Sequence, residues 1–209
     1  MTDRVKTAHG QSTSEGRPRR AAILYLASSS PRRRKILDQI GVPFRVYAPH
    51  VNEVKLATEP KQTVRLNALT KVQAARKCFP KSALIAADTV PDFKGRCVGK
   101  PTSLSDAHDL LGLLSGQAHT VLTGVALWAA ETDERPTLEI ESSVVRFRQL
   151  SIQKVDAYIR AVNPLDKAGG YDIDQGAKIL IESFEGSRTN VMGLPVEVVK
   201  PWLNQQGFL

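Results

Sequence analysis

Two short apolar runs, AAILYLA at 21–27 and ALIAADTV at 83–90, the second ending in an acid and a hydroxyl at Asp88 and Thr89, constrain the fold of this chain more than any other feature. A strand wetted on one face alternates apolar and polar residues, whereas a run without polar interruption is a strand covered on both faces. Helical patterns must therefore lie between such strands. After the first run, Ser30 and Pro31 read as N-cap and first helical residue of a helix through Ile36, Leu37 and Ile40 that stops at Gly41. The stretch PFRVYAPHVNEV looks extended, and Val64, Leu66, Leu69, Val72 and Ala75 predict a second helix over 62–78. Ser103 with Asp106 opens a helix over Ala107 to Leu114 that closes at Gly116, and Ser151 opens another whose Val155, Tyr158, Ile159 and Val162 share one face. HTVLTGVALWA and SSVVRFRQL form an adjacent strand pair, KILIESF a further strand, and a last helix starts at Pro195. Interleaved strands and helices with one adjacent strand pair give an α/β fold around a mixed twisted sheet flanked by helices.

A chain of 209 residues suits one domain, assigned to 21–209, that can divide into two lobes around a cleft. Residues 1–20 are rich in Ser, Thr, Gly and Arg without hydrophobic period and read as a disordered basic tail. No run has the length of a membrane span and the N-terminus has no secretory apolar core, so the reading is a soluble cytoplasmic protein without membrane partners. Cys78 and Cys97 follow no zinc spacing and read as reduced packing residues. His119 reads as a structural hydrogen-bonding residue at a strand start, and Trp128 and Trp202 as core or interface residues. The net charge of +8 fits an acidic or polyphosphate partner.

Arg32, Arg33, Arg34 and Lys35 crowd the first turn of the helix after LASSS, where the helix dipole disfavours cations. Arg33 shares the azimuth of Ile36, Leu37 and Ile40, so its guanidinium projects toward the end of the preceding strand rather than into bulk water. A bound phosphate resolves the conflict: Ser28, Ser29, Ser30, free helix N–H groups and the forks of Arg32 and Arg33 make a site of its size. Arg34 and Lys35 read as a solvated basic face. Asp88, at the end of a doubly covered strand, is either a turn residue or a ligand or base in the cleft. Glu53, Asp88 and Asp166 are candidate oxygen ligands for magnesium, and Lys71, Lys100 and Lys167 candidate partners for triphosphate charge. Spacing alone does not bring them together.

LASSSPRRRKILDQIG, HVNEV, AADTV, GKP, LSGQAHTVLTGVAL, LDKAGGY and EGSRTNVMGLP occur in the order of the Maf family of nucleoside triphosphate pyrophosphatases, which the chain resembles over about residues 22–200. The resemblance implies a two-lobed fold with a deep cleft, similar to inosine triphosphate pyrophosphatases, a homodimer, a divalent metal (Mg2+ or Mn2+), and hydrolysis of a nucleoside triphosphate to monophosphate and pyrophosphate. Carried onto this chain, Asp88 is the proton acceptor, and Ser28, Arg32, Arg33, Glu53, Lys71, Lys100 and Asp166 belong to the phosphate and metal site. Arg32, Thr89 and LDKAG resemble the dTTP/UTP type rather than the 7-methyl-GTP type. Asp174 stands where that type has glutamine, with Gln175 next to it, so one of the two serves the base or the preference is altered. Pro91 also departs from the family pattern and is expected to shorten its strand or confine it to an edge.

Two other functions compete with the pyrophosphatase. A nucleic-acid-binding module would use the basic surface, but aromatics make up only 6% of the chain and no nucleic-acid motif is present, so nucleic acid is not the expected partner. A non-catalytic nucleotide-binding regulator of cell division would keep the fold and lose the chemistry.

Overall fold

Strand order follows from where each apolar run finds cover. The structure, a computed structural model, describes residues 22–130 and 135–209. The tail expected at 1–20 lies outside the described residues. Seven strands form one mixed sheet: β1 (Leu24–Leu26), β2 (Arg45–Val46), β3 (Ala83–Phe93), β4 (Arg96–Cys97), β5 (Ala118–Trp128), β6 (Thr137–Phe147) and β7 (Ile181–Glu185). Their order is β2-β1-β3-β5-β6-β7, with β4 on the edge of β3. The two β1 pairings are parallel and the others antiparallel, including the expected neighbours β5 and β6.

The helices are α1 (Pro31–Ile40), α2 (Pro60–Cys78), α3 (Leu104–Leu114), α4 (Ile152–Ala161), α5 (Ala177–Leu180), α6 (Arg188–Met192) and α7 (Val196–Gln205). Local chemistry sets their ends: the Ser30, Ser103 and Ser151 side chains accept from backbone N–H groups in the first turns of α1, α3 and α4, and Gly41 ends α1 with φ 86°. The core lies in two sheets of side chains. Leu84, Ala86 and Ala126 on one face pack with Ala68, Val72 and Ala75 of α2. Ile85, Ala87, Val125 and Val145 on the other face pack with residues of α1, α3, α4, α6 and α7. No helix among the described residues is long and apolar enough to cross a membrane.

Three local expectations are corrected. Pro91 neither shortens nor ends β3, which runs on to Phe93. The carbonyls of Ile85 and Pro91 face the β1 and β4 edge, where Ala27 and Val98 donate to them. The missing Pro91 N–H therefore faces away from β5, and the ladder to β5 loses nothing. KILIESF is not one strand: its first residues form the helical turn α5 before β7 begins at Ile181. The EGSRTN segment carries the short helix α6, capped by Ser187, where a loop was expected.

Candidate active site

β3 changes neighbours in mid-strand, and the site forms at that point. β1 pairs with Ala83–Ile85 and leaves after Ala27 donates to the Ile85 carbonyl at 2.7 Å; β4 takes up the same edge at Asp92. Between them the backbone at Ala87–Thr89 has no strand partner on that side among the described residues. A reversal of neighbours in an α/β sheet opens room for a ligand. Because strand side chains alternate, Asp88 points with Leu84 and Ala86 toward α2, and Thr89 points to the opposite face.

On the α2 side, Lys71 stands between two carboxylates. Its Nζ lies 2.8 Å from Asp88 Oδ1 and 3.0 Å from Glu53 Oε1, and it also donates to the Ala87 carbonyl at 3.4 Å. Asp88 and Lys71 are both buried, so removing either partner leaves an uncompensated charge out of water. Asn67, one turn before Lys71, donates to Asp88 Oδ2 at 2.9 Å. Each Asp88 oxygen thus keeps one unused lone pair.

On the α1 side, Arg33 is buried, as its azimuth predicted. Its Nε donates to the Gly193 carbonyl at 2.7 Å, Nη1 to Ser28 Oγ at 3.1 Å and Nη2 to Thr89 Oγ1 at 3.0 Å. Three of five N–H groups are therefore spent inside the protein, leaving two for a ligand. Gly193 permits this approach, with φ 110° and a would-be Cβ only 3.2 Å from Thr89 Oγ1. Thr123 Oγ1 donates to the Asn190 carbonyl, so Thr89 must donate to Thr123, and a hydrogen-bond relay runs from Arg33 to α6. Burial lowers the Arg33 pKa from the ordinary arginine value; Asp88 and Glu53 oppose this and Arg32 adds to it.

The remaining candidates lie around the loop 164–176. Arg32 Nη1 approaches Asp172 Oδ2 at 3.4 Å, and the Asp172 backbone N–H donates to Tyr158 Oη at 2.9 Å. Burial raises the Tyr158 pKa, keeping that phenol neutral. Asp166 is exposed and receives a hydrogen bond from buried Lys167 at 2.6 Å. Partial burial pushes the Asp166 carboxyl up, but Lys167 outweighs it and holds the pKa below the ordinary value. The Gly169 N–H donates to the Gly99 carbonyl at 2.8 Å, which brings this loop to the segment bearing Lys100. Lys100 and Gln175 are exposed and their side chains make no hydrogen bond or ion pair among the described residues. Asp174 is held by Arg188 at 2.6 Å and Lys35 at 3.9 Å.

The family resemblance implied one site for Asp88, Lys71 and Glu53, and in the structure Lys71 lies within hydrogen-bonding reach of both carboxylates. Asp166 is not gathered with them: no group of three or more His, Cys, Asp or Glu side chains able to hold an ion occurs among the described residues. The pair Glu53 and Asp88 nevertheless suits magnesium, which takes one or two carboxylates and completes its shell with phosphate oxygens and water. Asn67, Asp172 and Gly193 were missed. A polar residue on the apolar face of α2, at i−4 from Lys71, was the available signal for Asn67.

The family described as Maf-like protein matches residues 23–206. A Symbiobacterium thermophilum protein named dTTP/UTP pyrophosphatase is 40% identical over 186 residues, covering 88% of this chain and 94% of that protein. A Thermotoga maritima protein of the same name is 38% identical over 187 residues, covering 88% and 90%. Among solved structures, the Staphylococcus aureus Ham1 protein matches in fold with a TM-score of 0.51 at 14% identity, covering 87% of this chain and 98% of that one.

Proposed function

The chain belongs to the Maf-like protein family, and on that premise we propose that it is a nucleoside triphosphate pyrophosphatase whose reaction centres on Asp88. The observation that carries the reading is the cluster of buried Asp88 and Lys71 with exposed Glu53 at the point where β3 changes neighbours. In the reaction, a water oxygen bonds to the α-phosphorus while the bond from that phosphorus to the α,β-bridging oxygen breaks. Pyrophosphate leaves with the bridging oxygen, and a carboxylate oxygen of Asp88 takes the water's proton.

Glu53 and Asp88 would hold a Mg2+ or Mn2+ ion, which when bound neutralises charge on the phosphate oxygens. Lys71 keeps both carboxylates in place and sets one cation against two anions, so the cluster keeps one net negative charge. Arg32, the free N–H groups of Arg33 and the N-terminus of α1 bind phosphate oxygens, and Lys100 reaches them from the opposite loop. Charge grows on those oxygens in the transition state, so cations fixed in advance stabilise it without reorganising.

dTTP and UTP are the proposed substrates, the activity named for the relatives. Asp174, paired with Arg188 and Lys35, cannot make the two-way amide contact of a glutamine, so the base is read by Gln175 or by Arg188. Assembly as a homodimer is part of the same proposal and is checked by light scattering. The functional test is pyrophosphate release from dTTP, UTP, 5-methyl-UTP, CTP, GTP, ITP and 7-methyl-GTP, with magnesium and with a chelator. Metal-dependent turnover of dTTP or UTP is expected, and Asp88→Asn is expected to abolish it. Triphosphate binding without turnover would instead identify a non-catalytic regulator.

A further inference from the structure

The segment 51–56 carries Glu53 into the site without strand pairing, and its apolar end residues Val51 and Leu56 are only half-buried. Glu53 is exposed and the neighbouring Val54 is 37% exposed, so burial does not hold the backbone in place at these two residues. Its far end is tied down at Leu56, which accepts from Thr63 and Cys97, and at Ala57, which accepts from the Cys97 N–H. At Val54 the tie is one side chain. Asn67 Oδ1 accepts from the Val54 N–H at 2.8 Å, and Asn67 Nδ2 donates to the Val54 carbonyl at 3.1 Å. The second Nδ2 hydrogen reaches Asp88 Oδ2 at 2.9 Å. Asn67 is only 3% exposed, and its bond to Asp88 is fully buried while the two to Val54 are partly so.

We propose that Asn67 is a positioning residue for hydrolysis: its amide holds the Glu53 backbone in register with Asp88 and fixes the orientation of the Asp88 carboxylate. The chemistry requires an amide. Val54 presents a donor and an acceptor to the same side chain, and Asp88 presents a second acceptor. An amide has two N–H donors and an accepting oxygen and satisfies all three partners at once. An ionised aspartate of the same size accepts only and would face two acceptors. An aliphatic side chain would leave the Val54 N–H and carbonyl unpaired. Lys71, one turn further along the same helix, grips the same two elements through Glu53 and Asp88, so α2 clamps them at two levels.

The proposal rests on the pyrophosphatase reading of this site, and its test separates the two. Pyrophosphate release from dTTP with magnesium is measured for the parent, Asn67→Asp, Asn67→Ala, Glu53→Gln and the Glu53→Gln/Asn67→Ala double variant, with KM and kcat resolved. Both Asn67 variants are expected to lose about 10- to 100-fold in kcat, the scale of a displacement near 1 Å, with a smaller change in KM. Because Asn67 acts partly through Glu53, the double variant is expected to lose clearly less than the product of the two single losses. Parent-like kcat in Asn67→Asp, or losses that simply multiply, overturns the proposal. Amide hydrogen exchange on the parent needs no variant: Val54 N–H is expected to be protected despite its exposed side chain, and exchange at the unstructured rate overturns the clamp. A parent without turnover refutes the assigned reaction and leaves the clamp to be decided by that exchange rate.

Discussion

Gly124→Ala tests the link between the packing of α2 and the chemistry of Asp88. Gly124 lies opposite Asp88 in the β3–β5 ladder and faces α2. A Cβ built there falls 2.6 Å from the Val64 carbonyl oxygen, 2.7 Å from its carbon and 3.2 Å from Arg65 N. All three are helix backbone, so no side-chain rotation relieves the overlap. Restoring the 3.4 Å of ordinary contact requires α2 to retreat from β5 by about 0.8 Å. Overpacking of this kind costs about 1–3 kcal/mol, which for a chain of this length lowers Tm by roughly 2–12 °C. The same retreat draws Lys71 and Asn67 away from Asp88, and misplacement approaching 1 Å costs up to about 100-fold in rate. Calorimetry and pyrophosphate release on the purified variant measure both effects. A variant with parent-like Tm and kcat would refute the claim that this close approach sets the site.

Two further perturbations probe the other face of the sheet. Arg33→Lys replaces a fork with three partners by a single ammonium that can keep one of them; losing two charged hydrogen bonds at about 1.5 kcal/mol each, the lower end of the usual range, costs about 3 kcal/mol, or roughly 6–12 °C in Tm. A variant that melts like the parent yet loses turnover would return Arg33 to phosphate binding alone. His119 is buried, hydrogen-bonded to Tyr171 Oη at 2.8 Å, and burial pushes its pKa down to about 4. Below pH 6.5 the unfolded chain takes up a proton at this position that the folded chain refuses, so stability falls between pH 6.5 and about 4, by about 3 kcal/mol in all. Chemical denaturation across that range should show a shallower loss for His119→Gln; equal slopes would refute the assignment.

Much of the fold was legible because its signals are local. The Ser30, Ser103 and Ser151 caps and the Gly41 stop act within one helical turn, and the apolar runs of β1 and β3 declare cover on both faces. The failures were local as well. Pro91 reads as shortening its strand or confining it to an edge only while the direction of its missing N–H is unknown, and that direction belongs to the ladder. The apolar core of KILIESF is only Ile179–Ile181, and so short a run does not distinguish a buried strand from a helical turn followed by one.

The site divides in the same way. The azimuth of Arg33 relative to Ile36 and Leu37, and the position of Asp88 in a doubly covered strand, followed from helical and strand periods, which any stretch of chain obeys by itself. Convergence did not. Glu53, Asn67, Lys71 and Asp88 meet because α2 crosses the sheet at Gly124, and Thr89 turns from Asp88 toward Arg33 because neighbouring strand residues face opposite ways. The sequence alone therefore determined which groups were available and which end of each element they occupied. Tertiary structure alone decided their partners, because hydrogen bonds and ion pairs work over about 3 Å, and only packing brings residues distant in the chain that close.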